Sequence, residues 1–371
     1  MNTPRLDINL DKILHNASVL VKRLKEDGIS VTGVTKAFLG APQIARIMLK
    51  AGVTSLGDSR ISNIERMRHA GILARMVLIR SPMISQVDHV VASADMSVNT
   101  ELDVLCALSV AALRIGKVHD VLLMVELGDL REGIMPSDIS DFVQQVSLLP
   151  NIKLMGLGTN LACRNGISPD NENMAKLSAA VRQLYAANSV NATIVSGGNS
   201  SNLNWIFDGG KIGKINNLRL GESILLGREP LQRKAIPGLF TDATKLVAEV
   251  IESKIKPTKA WGTIAQSAFK GARNSVATGN INQAILAIGR QDTDPEGLQA
   301  PKGVTVLAAS SDHTILDTGK SKLRVGEEVS FQLNYSALLS AMTSPYVSKN
   351  FTGSSVLLRP NPDLHFLPAA A

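Results

Sequence analysis

The feature that most constrains this chain is an alternation. Between residues 29 and 220, short runs rich in Val, Ile, Leu and Met alternate eight times with segments of helical period. The strand-like runs are 30–36, 53–58, 75–80, 95–99, 120–127, 152–160, 192–196 and 215–219. Helical segments lie between them at 41–51, 60–71, 83–92, 100–115, 137–149, 170–187 and 200–208. Helix-start signals accompany them at Asn99-Thr100-Glu101, at Pro136-Ser137-Asp138 and at Asp170 after Pro169. Near-continuous apolar strands separated by helices predict a parallel sheet buried on both faces. A doubly wound open sheet also alternates, but eight units over roughly 200 residues fit a closed TIM-like (β/α)8 barrel better.

After residue 236 the texture changes. Runs at 246–253, 284–288, 304–308, 314–317 and 328–333 read as strands separated by turns that include Gly303 and Gly326. The chain is therefore read as an α/β barrel over 10–235 followed by a C-terminal all-β domain over 236–361. A strand at 6–10 can pair with either, and 362–371 reads as a disordered tail. A chain of 371 residues accommodates both cores.

Composition excludes several classes. Hydrophobic content of 44% and charged content of 19% are those of a globular chain, and no apolar run reaches the length of a membrane span. Residues 1–7 lack the apolar stretch of a signal peptide. Two cysteines, Cys106 and Cys163, make no disulfide framework, so a cytoplasmic location is expected. The net charge of +7 is spread among acidic residues, without a Lys/Arg run and with 4% aromatics; neither nucleic acid nor membrane is expected as a partner, and no metal site is read.

In a barrel of this kind the chemistry sits where strands end. Lys36 ends the first strand, in Thr35-Lys36-Ala37; alone it also reads as a solvated lysine. Arg131 follows the fifth strand, Asn160 ends the sixth, and Arg219 ends the eighth. The seventh runs into Ser196-Gly197-Gly198-Asn199-Ser200-Ser201. Its glycines allow close backbone approach, and its Ser and Asn groups and the following helix start offer donors. By itself this is equally a capped glycine turn; with Lys36 and Arg219 at neighbouring strand ends it reads as a phosphate cradle. A lysine facing a phosphate site points to pyridoxal phosphate, which condenses with an amine and then serves as an electron sink. A phosphosugar enzyme with Lys36 as its base would use the same cradle.

The chain resembles the fold-type III pyridoxal-phosphate enzymes, the alanine racemase-like family, and within them the amino-acid racemase group that includes ornithine racemase. The resemblance rests on Thr35-Lys36-Ala37, Leu127–Gly133, Ser196–Ser201, Asn217–Glu222, Ala287–Gly297, Ala309–His313, and Asn334-Tyr335 with Ser344-Pro345-Tyr346. It implies that Lys36 holds the cofactor as an internal aldimine and that Arg219 faces the pyridine nitrogen. An arginine there leaves that nitrogen unprotonated, which favours proton exchange over transamination. It further implies that Ser196, Gly198, Asn199 and Ser200 form the phosphate turn and that Tyr335 reaches the phosphate. Arg131 is implied to lie near the cofactor and the substrate carboxylate. Asn160 stands where alanine racemases carry a histidine.

One departure is central. Where the family supplies a catalytic tyrosine from a partner subunit, this chain reads Gly289-Arg290-Gln291-Asp292. A guanidinium is a poor base. His313, in Ser310-Ser311-Asp312-His313, is the first candidate for the second proton role, with a backbone-bonded loop histidine as the plain alternative. Cys163 is a weaker candidate and reads as a buried structural thiol. Arg290, Asp292, Ser311 and Asp312 are expected at the substrate, with the acids suited to a cationic side chain; Asp294 and Glu296 read as a solvated turn. The expectation is a homodimeric isomerase, a pyridoxal-phosphate racemase of basic amino acids such as ornithine or lysine. Alanine or serine as substrate, a decarboxylase of the same fold and a non-catalytic cofactor carrier stay open; Arg219 argues against the decarboxylase, Glu222 keeps it in view, and the β-domain argues against the carrier.

Overall fold

A computed structural model describes residues 3–188, 192–269 and 279–353. In chain order the elements are β1 (Arg5–Asn9), α1 (Leu10–Glu26), β2 (Ser30–Val34), α2 (Pro42–Lys50), β3 (Ser55–Asp58), α3 (Ile61–His69), β4 (Met76–Leu78), α4 (Val87–Ser93), β5 (Met96–Asn99), α5 (Leu102–Arg114), β6 (His119–Val125), α6 (Ile139–Ser147), β7 (Ile152–Thr159), α7 (Asn171–Asn188), β8 (Ile194–Ser196), α8 (Asn202–Phe207), β9 (Asn217–Leu220) and α9 (Glu222–Leu226). There follow β10 (Thr244–Pro257), β11 (Asn280–Leu286), β12 (Leu298–Gln299), β13 (Thr305–Ala309), β14 (Thr314–Asp317), β15 (Glu328–Leu333), α10 (Tyr335–Thr343) and β16 (Ser348–Thr352). The chain divides into two compact units. One is Ile13–Phe240; the other joins the residues up to Lys12 to those from Thr241 onward.

In the first unit β2 to β9 close into a parallel barrel in sequence order. Ladder partners share a face, so the register decides what lines the interior. Thr32, Ser55, Gly57, Val77, Met96, Leu122, Gly156, Gly158, Ser196, Asn217 and Arg219 share one face. Val31, Val121, Leu123, Leu157, Val195 and Leu218 lie on the other and are fully buried against the helices. The first face is therefore the interior. It is apolar where Val77, Met96, Val98, Leu122, Met124 and Met155 cluster, and polar around Thr32, Ser196 and Asn217. α2 opens on Pro42, whose missing N–H is harmless at a first helical position. Asp170 caps α7 reciprocally with Asn173 (2.8 and 3.0 Å), whereas α5 and α6 begin without a side-chain cap.

The second unit is a sheet of order β12-β15-β10-β11-β14-β13, extended by β1 and β16. β1 pairs antiparallel with β10 and parallel with β16. Arg5 fastens it with a two-pronged bond to Glu328 (2.6 and 2.7 Å). The sheet carries one helix that the strand-turn texture hid. α10 is capped by Asn334, whose Oδ1 accepts the Ala337 N–H at 2.9 Å, and it buries Ala337, Leu338, Ala341 and Met342. Among the described residues no helix is long and apolar enough to cross a membrane. The tail at 362–371 lies outside the described residues.

Candidate active site

Lys36 does not end a strand. β2 stops at Val34, and Lys36 opens a three-residue 3-10 turn to Phe38. The turn closes on Leu39 in the left-handed region (φ 53°) and Gly40 (φ 64°). Leu130, Ala162 and Arg233 also have positive φ and lie in loops after β6, β7 and α9, while Asn151 (φ 60°) lies just before β7. Backbone strain of this kind gathers where a fold positions function.

The loop after β8 is built around Asn199 and Asn202. Asn202 Oδ1 accepts the Asn199 N–H (3.0 Å), and Asn199 Oδ1 accepts the Ser201 N–H (2.8 Å). Gly198 sits at φ 143°, and a Cβ there would lie 2.2 Å from Asn202 Oδ1, so the turn admits only glycine. No described acceptor takes the N–H of Gly198 or Ser200. Ser201 Oγ is buried without a partner among the described residues. Ser200 Oγ pairs with Ser223 Oγ at 3.0 Å, joining this loop to the start of α9.

Arg219 is the buried cation of the barrel, 6% exposed. Its Nη1 donates to Ser196 Oγ (2.5 Å), and its Nη2 donates to the Thr159 carbonyl (2.7 Å) and reaches Asn160 Oδ1 (3.4 Å). These partners are neutral, and its Nε donates to no described group. Burial pushes its pKa down to about 10, with Arg131 adding to the effect, so it stays protonated at neutral pH. Asn199 Nδ2 donates to Asn160 Oδ1 (3.1 Å), which ties the cradle to Arg219.

Two further loops meet at this end. Glu126 accepts the N–H groups of Gly128, Leu130 and Arg131 (2.6, 3.0 and 3.2 Å) and shapes the turn that carries Arg131. Arg131 forms a two-pronged ion pair with Glu132. Asp129 is wholly buried and accepts the N–H groups of Cys163, Arg164 and Asn165 (3.1, 3.0 and 3.0 Å). Burial alone would raise its pKa, but those backbone donors outweigh burial and hold it below the usual carboxylate range. Cys163, expected in the interior, is exposed instead, because Asp129 anchors its backbone and leaves the thiol to accept from Asn160 Nδ2 (3.0 Å). Arg131, Glu132 and Cys163 all bear on the charge of Arg219, so they share its surroundings. Glu222 pairs with Arg233; burial raises its pKa, which Arg233 and, more weakly, Lys36 partly offset.

The remaining expected residues lie in the sheet unit. Gly289 approaches the backbone of Ser311 and Asp312 so closely that a Cβ would lie 2.4 Å away, and Arg290 N donates to the Ser310 carbonyl (2.9 Å). This brings Arg290, Ser311, Asp312 and His313 together. His313 Nδ1 pairs with Asp312 Oδ1 at 2.8 Å, and that bond is the main reason the Asp312 carboxyl is held low. Ser310 and Ser311 hydroxyls donate to the same oxygen (3.2 Å each). Arg290 pairs with Glu296 (2.7 and 3.2 Å), which drives the Glu296 pKa down to about 2. Glu296 is exposed, as a solvated turn would have it, and carries this ion pair at the surface. Asp292 is buried with its carboxylate accepting from Ser344 Oγ (2.7 Å), so it does not join the exposed group. Tyr335 opens α10 and is half-buried.

A closed parallel barrel that gathers a lysine turn, a glycine-bounded anion cradle and a buried arginine with a spare donor is the scaffold of a cofactor-dependent enzyme. Residues 8–229 match the alanine racemase N-terminal domain. Over 93% of its length the chain is 36% identical to ornithine racemase of Acetoanaerobium sticklandii, covering 99% of that protein. It is 38% identical to lysine racemase of Thermotoga maritima, over 95% of this chain and 99% of that one. Among solved structures it is similar to the alanine racemase of a D-cycloserine-producing Streptomyces lavendulae, with TM-score 0.74, 16% identity and coverage of 95% and 98% of the two chains. The chain belongs to the alanine racemase family, a family of pyridoxal-phosphate enzymes, and is an amino-acid racemase.

The residues fit that cofactor. The unclaimed N–H groups of Gly198 and Ser200 and the orphaned Ser201 hydroxyl suit a phosphate, and the spare Nε–H of Arg219 suits a neutral ring nitrogen. Reasoning from sequence missed Asp58, Asp129 and Glu132. Asp58 could have been found by the strand-end rule, since it stands at the carboxyl end of β3.

Proposed function

We propose that this enzyme interconverts the enantiomers of a basic amino acid, ornithine or lysine, with pyridoxal phosphate held at Lys36. The observation that carries the cofactor assignment is Arg219, a buried cation whose hydrogen bonds all go to neutral groups and whose Nε remains to donate. The full-length similarity to ornithine and lysine racemases supports the substrate class.

Gly198, Asn199 and Ser200 would hold the phosphate end, and Arg219, steadied by Ser196, the ring nitrogen. Bound there, the cofactor supplies an electron sink that acidifies the substrate Cα–H. Lys36 Nζ removes or returns that proton on one face. Arg219 donates a hydrogen bond without giving up its proton, which limits the sink and favours reprotonation at Cα. Arg131, steadied by Glu132, presents its guanidinium to the substrate carboxylate.

The opposite face needs a second acid–base group. His313 fills that role: Asp312 holds its Nδ1, which leaves Nε2 to exchange the proton. It comes from a second copy of the chain in a homodimer, together with Arg290, Ser311 and Asp312. A cytoplasmic location accords with two free cysteines.

The test is a chiral assay of the cofactor-loaded enzyme against L-amino acids. Inversion of ornithine or lysine with the carboxylate retained is expected; release of an amine product would overturn the assignment. Lys36→Ala is expected to abolish the borohydride-trapped adduct. His313→Ala is expected to slow exchange of the Cα proton in one enantiomer far more than in the other, and an equal effect on both would remove His313 from the mechanism.

A further inference from the structure

We propose that Asp58 is a positioning residue for Lys36 and acts through Thr35. The proposal rests on the reading of Lys36 as the cofactor-bearing lysine. Lys36 sits in a single 3-10 turn, a weak element on its own. The turn is held from both ends by β3 and α3. On its entry side the Thr35 N–H donates to the Gly57 carbonyl (2.9 Å), and Thr35 Oγ1 donates to Asp58 Oδ2 (2.8 Å). On its exit side Arg66 donates to the Leu39 carbonyl, and Gly40 packs so tightly on Asn63 that a Cβ would lie 2.7 Å from the Asn63 carbonyl. Asn63 Nδ2 closes the ring by donating to Asp58 Oδ1 at 2.9 Å.

Asp58 is 0% exposed and makes no ion pair among the described residues. An acid buried without a cation is costly to keep. Its donors are Thr35, Asn63 and the Arg60 N–H (3.0 Å), so it joins the start of α3 to the residue before Lys36. Holding both flanks fixes the backbone from which the Lys36 side chain projects, and that origin sets the face on which Nζ meets a proton.

A purely structural role for Asp58 at the start of α3 would survive loss of the Thr35 hydroxyl, because the bonds to Arg60 and Asn63 persist. Thr35→Val therefore removes the link, together with only the longer approach of the same hydroxyl to the Gly57 carbonyl (3.3 Å), whose bond from the Thr35 N–H persists. In the cofactor-loaded full chain, Thr35→Val and Asp58→Asn are each expected to lower kcat about tenfold with KM within about twofold. Thr35→Ser, which keeps the hydroxyl, is expected to restore the rate. The double variant is expected to be no slower than the worse single one, as for two groups acting through one bond. A second readout uses the cofactor-stripped chain: labelling of Lys36 by trinitrobenzenesulfonate, mapped by mass spectrometry across pH, changes relative to the other lysines in Thr35→Val and not in Thr35→Ser. Thr35→Val that matches the unmodified chain in both readouts, or effects of Thr35→Val and Asp58→Asn that multiply, overturns the proposal. If Thr35→Val does not fold, Thr35→Ser and Asp58→Asn decide: a tenfold loss in Asp58→Asn with altered Lys36 labelling supports it, and unchanged labelling refutes it. An unmodified chain that gives no borohydride-trapped adduct at Lys36 would instead sink the cofactor reading itself.

Discussion

Asp129→Asn tests the loop architecture of the mouth. The Asp129 carboxylate holds three backbone N–H groups of residues that are themselves on the surface, Cys163, Arg164 and Asn165. Asparagine keeps the shape but leaves one oxygen and turns an NH2 group toward the remaining donors. The remaining oxygen can still accept from Cys163 and Arg164, but as neutral bonds about 1 kcal/mol weaker each than those to a carboxylate. The Asn165 N–H, facing the NH2 group and reached by water, loses about 1 kcal/mol net. Three such losses give about 3 kcal/mol, roughly a hundredfold in the opening of the loop. Hydrogen exchange of a peptide covering 161–167 reads this directly. Its slow amides are expected to exchange roughly a hundredfold faster in the variant, while peptides from β3 and β10 keep their rates. The pH dependence has a definite sign. The carboxyl pKa is held below its unfolded value, so its contribution is present above the unfolded pKa of about 3.9 and is lost only as pH falls through the folded one. Once corrected for intrinsic chemistry, protection is expected to stay constant from pH 8 to pH 5. Unchanged exchange in Asp129→Asn, or protection in the unmodified chain that disappears between pH 7 and pH 5, would refute the reasoning.

Gly198→Ala forces a Cβ into Asn202 Oδ1 and a side chain into a glycine conformation; backbone strain of about 1–3 kcal/mol is expected, with a matching loss of pyridoxal phosphate affinity in a spectroscopic titration. His119 is 2% exposed and burial lowers its pKa to about 4, below the usual value of 6.5. Its contribution is therefore present above pH 6.5 and lost as pH falls toward 4, and denaturant unfolding is expected to show about 3 kcal/mol of acid destabilisation that His119→Gln removes. Glu296→Gln strips Arg290 of its ion pair; if that guanidinium lies beside the substrate side chain, KM for ornithine is expected to rise about tenfold relative to KM for alanine, and an unchanged ratio would place Arg290 elsewhere.

Much of the site was legible because barrels put chemistry at strand ends. Lys36, Asn160, the Ser196–Ser201 loop and Arg219 could each be named by counting strands, and the structure sets them in the loops after β2, β7 and β8 and on β9. Errors came where a side chain's fate depends on a partner distant in sequence. Asp292 was expected to face the substrate because its buried partner, Ser344, is 52 residues away. Cys163 read as buried because its anchor, Asp129, lies 34 residues earlier. α10 was hidden in a region whose neighbours were all strands, although Asn334 was present as its cap.

The sequence by itself determined the barrel, because eight two-face apolar strands with intervening helices have few other ways to bury their surfaces. It also determined the chemical vocabulary of the mouth: one lysine, one arginine and one glycine turn at known strand ends. Tertiary structure alone decided how those groups are held. Arg219 bonds only neutral partners because the register of β7, β8 and β9 places Thr159, Ser196 and Asn160 around it. Thr35, the residue before Lys36, is held by Asp58, whose carboxylate also takes Asn63 of α3. Burial and hydrogen-bond pairing over long separations set charge and direction, and neither is encoded in any short stretch of chain.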